Sequence, residues 1–291
     1  MERVTRFAAN LSTLFGELPL LERPAAGVRS GFTDVELWWP FSAAVPPHRE
    51  VSAFVSTTRQ AGVHVVLMNL YHGPEGGGEL GLLSLPDRRD VFLRSLDVGI
   101  AVAAELGIPC LNALYGNRQP GASASEQAEV AVANLQIAAE AARVVGTSIV
   151  IEGLNGFDNP DYPLTSTRAV LELVLKVNSP GGPAVGIQAD TYHMARMGEE
   201  PEESLRLAGE VLGHVQFGDV PGRCEPGQGD LDWLGITETL AEIGYEGWVG
   251  LEYVPDGDPE TSLLRTRQYL QDVGAPTGPA HPYRWTGTYH P

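Results

Sequence analysis

The chain has few cysteines, few basic residues and no long apolar segment, and each shortage excludes a class of protein. Its two cysteines, Cys110 and Cys224, cannot build the disulfide framework that holds many small secreted domains together. Lysine and arginine number 19 against 37 aspartates and glutamates, which gives a formal net charge of −18. A surface so acidic repels nucleic acids and anionic lipids, so we expect neither as a partner.

No stretch approaches the run of about 20 apolar residues that a membrane helix needs, so no membrane span is expected. The segment 1–24 also lacks the apolar core of a signal peptide, because Glu17 and Pro19 interrupt it. These absences predict a soluble, cytoplasmic protein.

The residues that are present indicate a sizeable core and a regular alternation of elements. Hydrophobic residues make up 43% of the 291 residues, and short apolar runs of β type alternate with longer segments of helical spacing. The predicted strands are Arg6–Asn10, Val35–Trp38, His64–Leu70, Cys110–Tyr115, Ser148–Glu152, Ala184–Asp190, His214–Gly218 and Val249–Tyr253. The predicted helices are Phe15–Ser30, Arg49–Ala61, Arg88–Leu106, Ser123–Val145, Thr165–Val177, Glu202–Leu212, Leu234–Ile243 and Pro259–Leu270.

This alternation predicts an α/β fold with a parallel sheet, because parallel strands need crossover helices. Eight βα units in about 270 residues favour a single closed (β/α)8 TIM barrel over a doubly wound sheet. The predicted barrel domain spans residues 1–273. The segment 274–291 is rich in proline, glycine and aromatic residues and has no periodicity. It is either a poorly ordered terminus or a tail packed over a barrel end or a neighbouring subunit.

A carboxylate or a carboxamide stands at the end of each of four successive predicted strands: Glu152, Asp190, Gln216 and Glu252. The C-terminal ends of barrel strands surround one site, so these side chains are expected to meet. Three acids crowded together repel one another unless a cation joins them. Oxygen ligands suit Mg²⁺ or Mn²⁺ better than Zn²⁺. One such glutamate alone is more often an ion-pair partner, and it is the set of four that predicts a divalent metal site.

Further polar residues at strand ends are candidates for substrate binding. Asn10 and Asn69 end the first and third predicted strands, and each either lines the pocket or is an ordinary hydrogen-bonded strand end. For Glu36, at the end of the second strand, the hydrogen-bonded interpretation is favoured.

Two loops that follow later strands add charged or polar candidates. His193, three residues after Asp190, contacts a substrate oxygen, orients a metal ligand, or is a plain loop histidine. Arg223 binds a substrate carboxylate through two parallel hydrogen bonds, or is a surface arginine. Glu225 is a further candidate for the substrate site; it either pairs with Arg223 or is a solvated loop charge.

Six segments between about Arg6 and Tyr253 carry a family resemblance. They read RFAANLSTLFGELPLLER, GFTDVELWWPF, VIEGLN, IQADTYHM, HVQFGDVPGRCEPGQGDLDW and IGYEGWVGLEY. Together they resemble the hydroxypyruvate isomerases, within the xylose isomerase-like barrel superfamily. The segment 221–229, PGRCEPGQG, is the most specific of them. The chain departs from the common pattern at Gly153, where the family commonly has proline, and at Cys224.

The resemblance implies that Glu152, Asp190, Gln216 and Glu252 bind a divalent metal and that the two glutamates also act as acid and base. The implied reaction moves a carbonyl between adjacent carbons through a cis-enediolate, as between hydroxypyruvate and tartronate semialdehyde. A 2-oxo-tetronate isomerase is a close variant. The alternative is a ketose 3-epimerase or sugar isomerase, although related epimerases carry histidine where this chain has Gln216. Related barrels often associate, so a homo-oligomer is also expected by analogy.

Two other classes of protein compete with this interpretation. A nuclease on the same barrel would need several zinc-binding histidines and a basic surface, whereas this chain has seven scattered histidines and a large negative charge. A non-catalytic barrel that only binds a ligand would have no need of all four strand-end residues.

Overall fold

The computed structural model describes residues 6–74, 76–178 and 184–274. Eight parallel strands close into a barrel in sequence order, which confirms the predicted single (β/α)8 barrel. The strands are β1 (Arg6–Asn10), β2 (Asp34–Leu37), β3 (His64–Asn69), β4 (Cys110–Asn112), β5 (Ser148–Glu152), β6 (Val185–Asp190), β7 (Leu212–Phe217) and β8 (Trp248–Leu251). The predicted tail beyond Gly274 lies outside the described residues.

Helices surround the barrel. They are α1 (Arg23–Arg29), α2 (His48–Ala61), α3 (Arg89–Leu106), α4 (Ala124–Val145), α5 (Thr167–Val177), α6 (Thr191–Arg196), α7 (Pro201–Ala208), α8 (Trp233–Glu242) and α9 (Pro259–Asp272). Gly107 and Gly146 end α3 and α4 in the left-handed conformation, at φ of 69° and 74°, where a residue with a Cβ would be strained. Ser123 and Glu126 form a reciprocal capping box that starts α4.

Two predicted helices are wrong in extent. Of the segment predicted over Phe15–Ser30, only a 3₁₀ turn at Leu20–Glu22 and the short α1 are helical. Pro19 stands before that turn and Pro24 lies in the first turn of α1, so each proline starts an element instead of continuing one. The segment predicted over Glu202–Leu212 leaves the α-helix at Ala208 and ends in a 3₁₀ turn before β7.

Helix α6 was not predicted, and it matters for the site because it carries His193. It starts directly after β6, and the carboxylate of Asp190 caps it by accepting a hydrogen bond from Tyr192 N at 2.8 Å. Asp190 therefore ends a strand and begins a helix in a single step, which fixes its side chain at the mouth of the barrel.

The barrel interior is divided into an apolar half and a polar half. A small cluster of buried residues fills the interior: Ala8, Val66, Leu67, Cys110, Val150 and Trp248. Burial raises the pKa of the Cys110 thiol, which keeps it protonated. Buried polar side chains from all eight strands or strand ends lie toward the C-terminal half, among them Asn112, Gln188 and His214. No helix in the described part of the chain is long and apolar enough to cross a bilayer.

Candidate active site

A pocket opens at the C-terminal ends of the strands. Its polar lining includes Trp38, Asn69, Glu152, His193, Arg223 and Glu252. Strand order determines this composition, because each parallel strand delivers its last residues to the same face of the barrel. The structure therefore brings together both predicted catalytic glutamates and three of the predicted substrate-binding residues. His72 and Asn159 also line the pocket, although the sequence analysis assigned neither of them to the site.

The carboxylates form a buried, mutually repelling cluster. Glu152 and Asp190, with the ring of His193 beside them, place potential ligand atoms within 4.8 Å of one another. Burial, with the nearby charges of Asp190 and Glu252, raises the pKa of Glu152 well above its ordinary value. Burial also raises the pKa of Glu252 to about 7, although Arg223 opposes that rise. The cluster is therefore poised to hold protons or to bind a cation.

Arg223 supplies a positive charge inside the cluster. Its Nη2 lies 2.5 Å from Asp190 Oδ2 and 3.0 Å from Glu252 Oε1, and its Nε donates to the backbone carbonyl of Glu252 at 3.2 Å. Burial acts to lower the pKa of Arg223, but the neighbouring carboxylates raise it overall, so the guanidinium stays charged. The surface-arginine alternative is wrong, whereas binding of a substrate carboxylate stays a prediction.

The loop that carries Arg223 is built around one buried acid. Arg223 has a φ of 58°, in the left-handed region that costs a non-glycine residue about 1 kcal/mol. Asp219, with no exposed surface, accepts hydrogen bonds from the backbone amides of Gly227, Gly229 and Leu231 and from the indole of Trp233. These bonds hold the loop in the shape that directs Arg223 inward. Asp219 thus holds the backbone of the segment 221–229 from within.

His193 faces the carboxylates as a neutral hydrogen-bond donor. Its Nδ1 accepts a hydrogen bond from the backbone amide of Asn155 at 3.1 Å, so in the neutral ring the proton lies on Nε2. Nε2 is 3.9 Å from Glu152 Oε1 and 3.8 Å from Asp190 Oδ2. Burial lowers the pKa of His193 to about 4, which keeps the ring uncharged near neutral pH. The ring is therefore suited to donate to a substrate oxygen.

Trp38 and Gln216 hold the Glu252 carboxylate in place. The indole of Trp38 donates to Glu252 Oε1 at 3.0 Å, and the Gln216 amide donates to Oε2. On the other side of the pocket, Asn112 donates to Glu152 Oε2 at 2.9 Å. Each catalytic candidate is thus oriented by amide or indole donors from other strands.

Asn69, Asn10 and Glu225 were all predicted to bind substrate, and of these three only Asn69 lines the pocket. Asn69 lines the pocket and accepts a hydrogen bond from Asn112. Asn10 is a hydrogen-bonded strand end: it accepts from two backbone amides of the following turn and donates to Glu36. Both alternatives for Glu225 are wrong, because its carboxylate is buried and pairs with Arg265 at 2.7 Å. It anchors the Arg223 loop to α9.

Sequence reasoning missed Asn112, Gln188, His214 and Asn155. Spacing was a usable signal for two of them. Gln188 lies two residues before Asp190 and His214 two residues before Gln216, and residues two apart on a strand share one face. Nothing local marked Asn112 or Asn155, because their partners come from distant parts of the chain.

Comparisons with known proteins agree with this fold. A family model described as xylose isomerase-like TIM barrel matches residues 24–273, so the chain belongs to that family. A Streptomyces coelicolor protein called "Putative hydroxypyruvate isomerase" is 43% identical over 257 residues, covering 87% of this chain and 92% of that protein. The hydroxypyruvate isomerase of Escherichia coli K12 is 34% identical, covering 89% and 96%. The chain is thus a member of the hydroxypyruvate isomerase group, among the isomerases of the aldose–ketose type.

Two further comparisons show the breadth of this group. The 2-oxo-tetronate isomerase of Pectobacterium atrosepticum is 31% identical, covering 91% of this chain and 98% of that protein. A crystal structure described as an AP endonuclease, family 2, from Brucella melitensis superposes with a TM-score of 0.82 at 30% identity, covering 91% of this chain and 99% of the other. The barrel and its boundaries are therefore shared by proteins named for different substrates.

The raised pKa of Glu252 predicts how the metal-free protein responds to pH. Because its folded-state pKa of about 7 exceeds its ordinary value of 4.5, the stability contributed by the protonated carboxyl is lost as pH rises through 7. We expect the Tm of EDTA-treated protein, taken relative to the Glu252→Gln variant, to fall by several degrees between about pH 5 and about pH 8. Differential scanning calorimetry measures this difference. A difference that does not change with pH would contradict the assignment.

Proposed function

We propose that the protein is a metal-dependent isomerase that interconverts hydroxypyruvate and tartronate semialdehyde. The observation that carries this proposal is a pair of buried glutamates, Glu152 and Glu252, which line one pocket from strands three apart in the barrel. Two other residues of the pocket support the proposal. Arg223 supplies the positive charge that an acid substrate needs, and His193 supplies an uncharged hydrogen-bond donor. The relatives named for hydroxypyruvate favour this substrate over others.

The proposed chemistry needs two proton transfers on adjacent carbons. One glutamate removes a proton from C3 of hydroxypyruvate, and the resulting cis-enediolate receives a proton at C2 from the other. A further proton moves between the two oxygens, so the product is an isomer and no oxidant is consumed. A carboxyl whose pKa lies near the working pH serves well as both acid and base, and in the metal-free protein burial raises the pKa of Glu252 to about 7.

The surrounding residues prepare the pocket for an anionic substrate. Arg223 has a forked guanidinium that matches a carboxylate. His193 Nε2–H points toward the carboxylate cluster, where oxygen that gains negative charge in the transition state would lie. Asn69 adds a polar group on the β3 side of the pocket. We propose substrate binding for these three residues, and no longer for Asn10 or Glu225.

The residues present fit a divalent cation. Glu152, Asp190, Gln216 and Glu252 supply four oxygen donors. Burial, together with neighbouring negative charge, raises the pKa values of the two glutamates, and a cation would offset that charge. The tautomer of His193 directs N–H rather than a lone pair at the cluster, which leaves a ligand set of oxygens only. Such a set favours Mg²⁺ or Mn²⁺. When bound, the ion would stabilise negative charge on the substrate oxygens.

A 2-oxo-tetronate substrate is the second candidate, favoured by the 31% identical relative of that name. It has the same 2-oxo acid end and one more carbon, so Arg223 and the glutamates would act on it in the same way. A neutral ketose, as in an epimerase or sugar isomerase, would leave Arg223 without a carboxylate partner. Nuclease activity is opposed by the net charge of −18.

Proton NMR in D₂O tests the proposal. EDTA-treated protein is incubated with hydroxypyruvate, with a four-carbon 2-oxo acid and with a ketohexose, each with and without Mg²⁺ or Mn²⁺. We expect metal-dependent conversion of hydroxypyruvate with deuterium incorporation at carbon. Turnover of the four-carbon acid alone would identify the second candidate, and deuterium entering only the ketohexose would identify an epimerase. Absence of exchange in all three would contradict the proposed reaction.

A further inference from the structure

Glu36 on β2 places a fully buried carboxylate inside the barrel, in contact with the predicted metal ligand Gln216. Its Oε1 accepts hydrogen bonds from Asn10 Nδ2 at 2.9 Å and from Gln216 Nε2 at 2.7 Å, and its Oε2 lies 2.6 Å from His214 Nε2. Burying a carboxylate is costly unless donors surround it, and here groups from two other strands do so. An apolar side chain would fill this position without that cost, so the acid needs a role beyond packing.

Strand β8 provides the space that this carboxylate occupies. Gly250 faces Glu36, and a Cβ at Gly250 would overlap both oxygens of the Glu36 carboxylate. Glycine inside a strand costs about 0.5–1 kcal/mol relative to alanine and often marks the close approach of another group. Strand β2 thus carries the carboxylate, and strand β8 has glycine where a larger side chain would overlap it.

The Gln216 amide is the group that this acid orients. An amide has two orientations of nearly the same shape, with oxygen and nitrogen exchanged. Here Gln216 Nε2 donates to Glu36 and to Glu252, while its Oε1 accepts from Gln188 Nε2 at 2.6 Å. The exchanged orientation would set the oxygen against two carboxylates and the nitrogen against another N–H donor. The observed orientation is therefore strongly selected.

The selected orientation places the Gln216 carbonyl on the side of Glu152. Gln188 Nε2, which donates to Gln216 Oε1, also donates to Glu152 Oε2 at 2.8 Å. The two oxygens thus share one donor, Gln188 Nε2. The N–H side of the same amide remains on Glu252.

We propose that Glu36 is a positioning residue for the metal site. Held by Asn10 and His214 and accommodated by Gly250, it fixes the carbonyl oxygen of Gln216 beside Glu152 and the amide N–H on Glu252. This inference rests on the proposed function, because it takes Gln216 to be a metal ligand. When Glu36 is replaced by a side chain that cannot accept a hydrogen bond from Gln216 Nε2, the amide loses one of the three hydrogen bonds that select its orientation, and its oxygen is held less firmly beside Glu152.

Metal affinity measured without substrate tests this role. We expect Glu36→Met, which removes both acceptor oxygens and keeps the length of the side chain, to raise the Kd of EDTA-treated protein for Mn²⁺ about 10- to 100-fold in isothermal titration calorimetry. The matched control is Asp34→Asn, because Asp34 lies on the same strand and also pairs with a histidine, His64 at 3.0 Å, but at the end of the strand away from the pocket. It should leave the Kd within about threefold of the original chain.

A second variant perturbs the same carboxylate without removing any charge. Gly250→Ala displaces Glu36 by steric overlap and is expected to weaken Mn²⁺ binding as well, so it carries the test if Glu36→Met does not fold by circular dichroism. A folded Glu36→Met or Gly250→Ala protein with unchanged Kd overturns the positioning role and leaves the proposed reaction intact. An original chain that binds no Mn²⁺ overturns both this role and the metal dependence of the proposed function.

Discussion

Replacing Glu152 or Glu252 by glutamine is expected to lower kcat for hydroxypyruvate about 10²- to 10⁴-fold, the range that a positioned acid or base contributes. Glutamine keeps the size of the side chain and its capacity for hydrogen bonds, but it cannot carry the proton. Because both side chains are buried and line the same pocket, each loss should be large by itself. Steady-state kinetics with saturating Mn²⁺ measure the change.

Deuterium exchange separates the two glutamates. The variant that lacks the base for C3 should fail to exchange the C3 protons of hydroxypyruvate in D₂O. The other variant should still exchange them and yet form no tartronate semialdehyde. Glu238→Gln, an exposed change on α8, is the control and should retain full activity. Near-normal kcat in both pocket variants would show that the reaction does not use this pair.

Replacing Arg223 by alanine is expected to lower kcat/KM for hydroxypyruvate about 10²- to 10³-fold, mainly through KM, because a buried charged partner of a carboxylate is lost. The structure adds a second effect. Arg223 lowers the pKa of Glu252, so its removal raises that pKa and moves the acidic limb of the pH–rate profile upward. Kinetics over a range of pH values resolve both effects.

Arg223→Lys distinguishes charge from shape. Lysine keeps the positive charge and loses the fork that binds a carboxylate through two bonds, so it should recover only part of the lost KM. Arg206→Ala, which breaks an exposed pair with Glu242 at 2.8 Å, is the matched control. A neutral ketohexose that is turned over should show the shift of the pH–rate profile in Arg223→Ala but little change in KM. Equal losses for the acid and the ketohexose would contradict carboxylate recognition by Arg223.

Much of the fold could be predicted because the barrel repeats one simple pattern. Apolar runs such as Ser148–Glu152 are read directly from the sequence, and the structure gives that strand the same bounds. The pattern did not predict short helices whose first turn depends on a single residue. Pro24 starts α1 where a continuous helix was expected, and Asp190 begins α6 through its own side chain.

The four strand-end residues of the site were also predictable from the repeating pattern of the barrel. Glu152, Asp190, Gln216 and Glu252 stand at equivalent positions on successive strands, and a closed barrel brings such positions together. Their roles as metal ligands and catalysts remain predictions for the experiments above. Glu225 was misjudged because nothing near it in sequence reveals Arg265, forty residues away, as its partner.

The sequence by itself determined the eightfold alternation, the face on which the strand-end acids gather and the acidic surface, because these depend on composition and on local periodicity. Only the tertiary structure decided which proton His193 carries, where the Arg223 guanidinium points and how Gln216 is turned. Each of those outcomes depends on a partner from a distant segment: Asn155 for His193, Asp190 for Arg223, and Glu36 for Gln216. Hydrogen-bond direction is set by atoms within about 3 Å, and chain closure alone brings those atoms together.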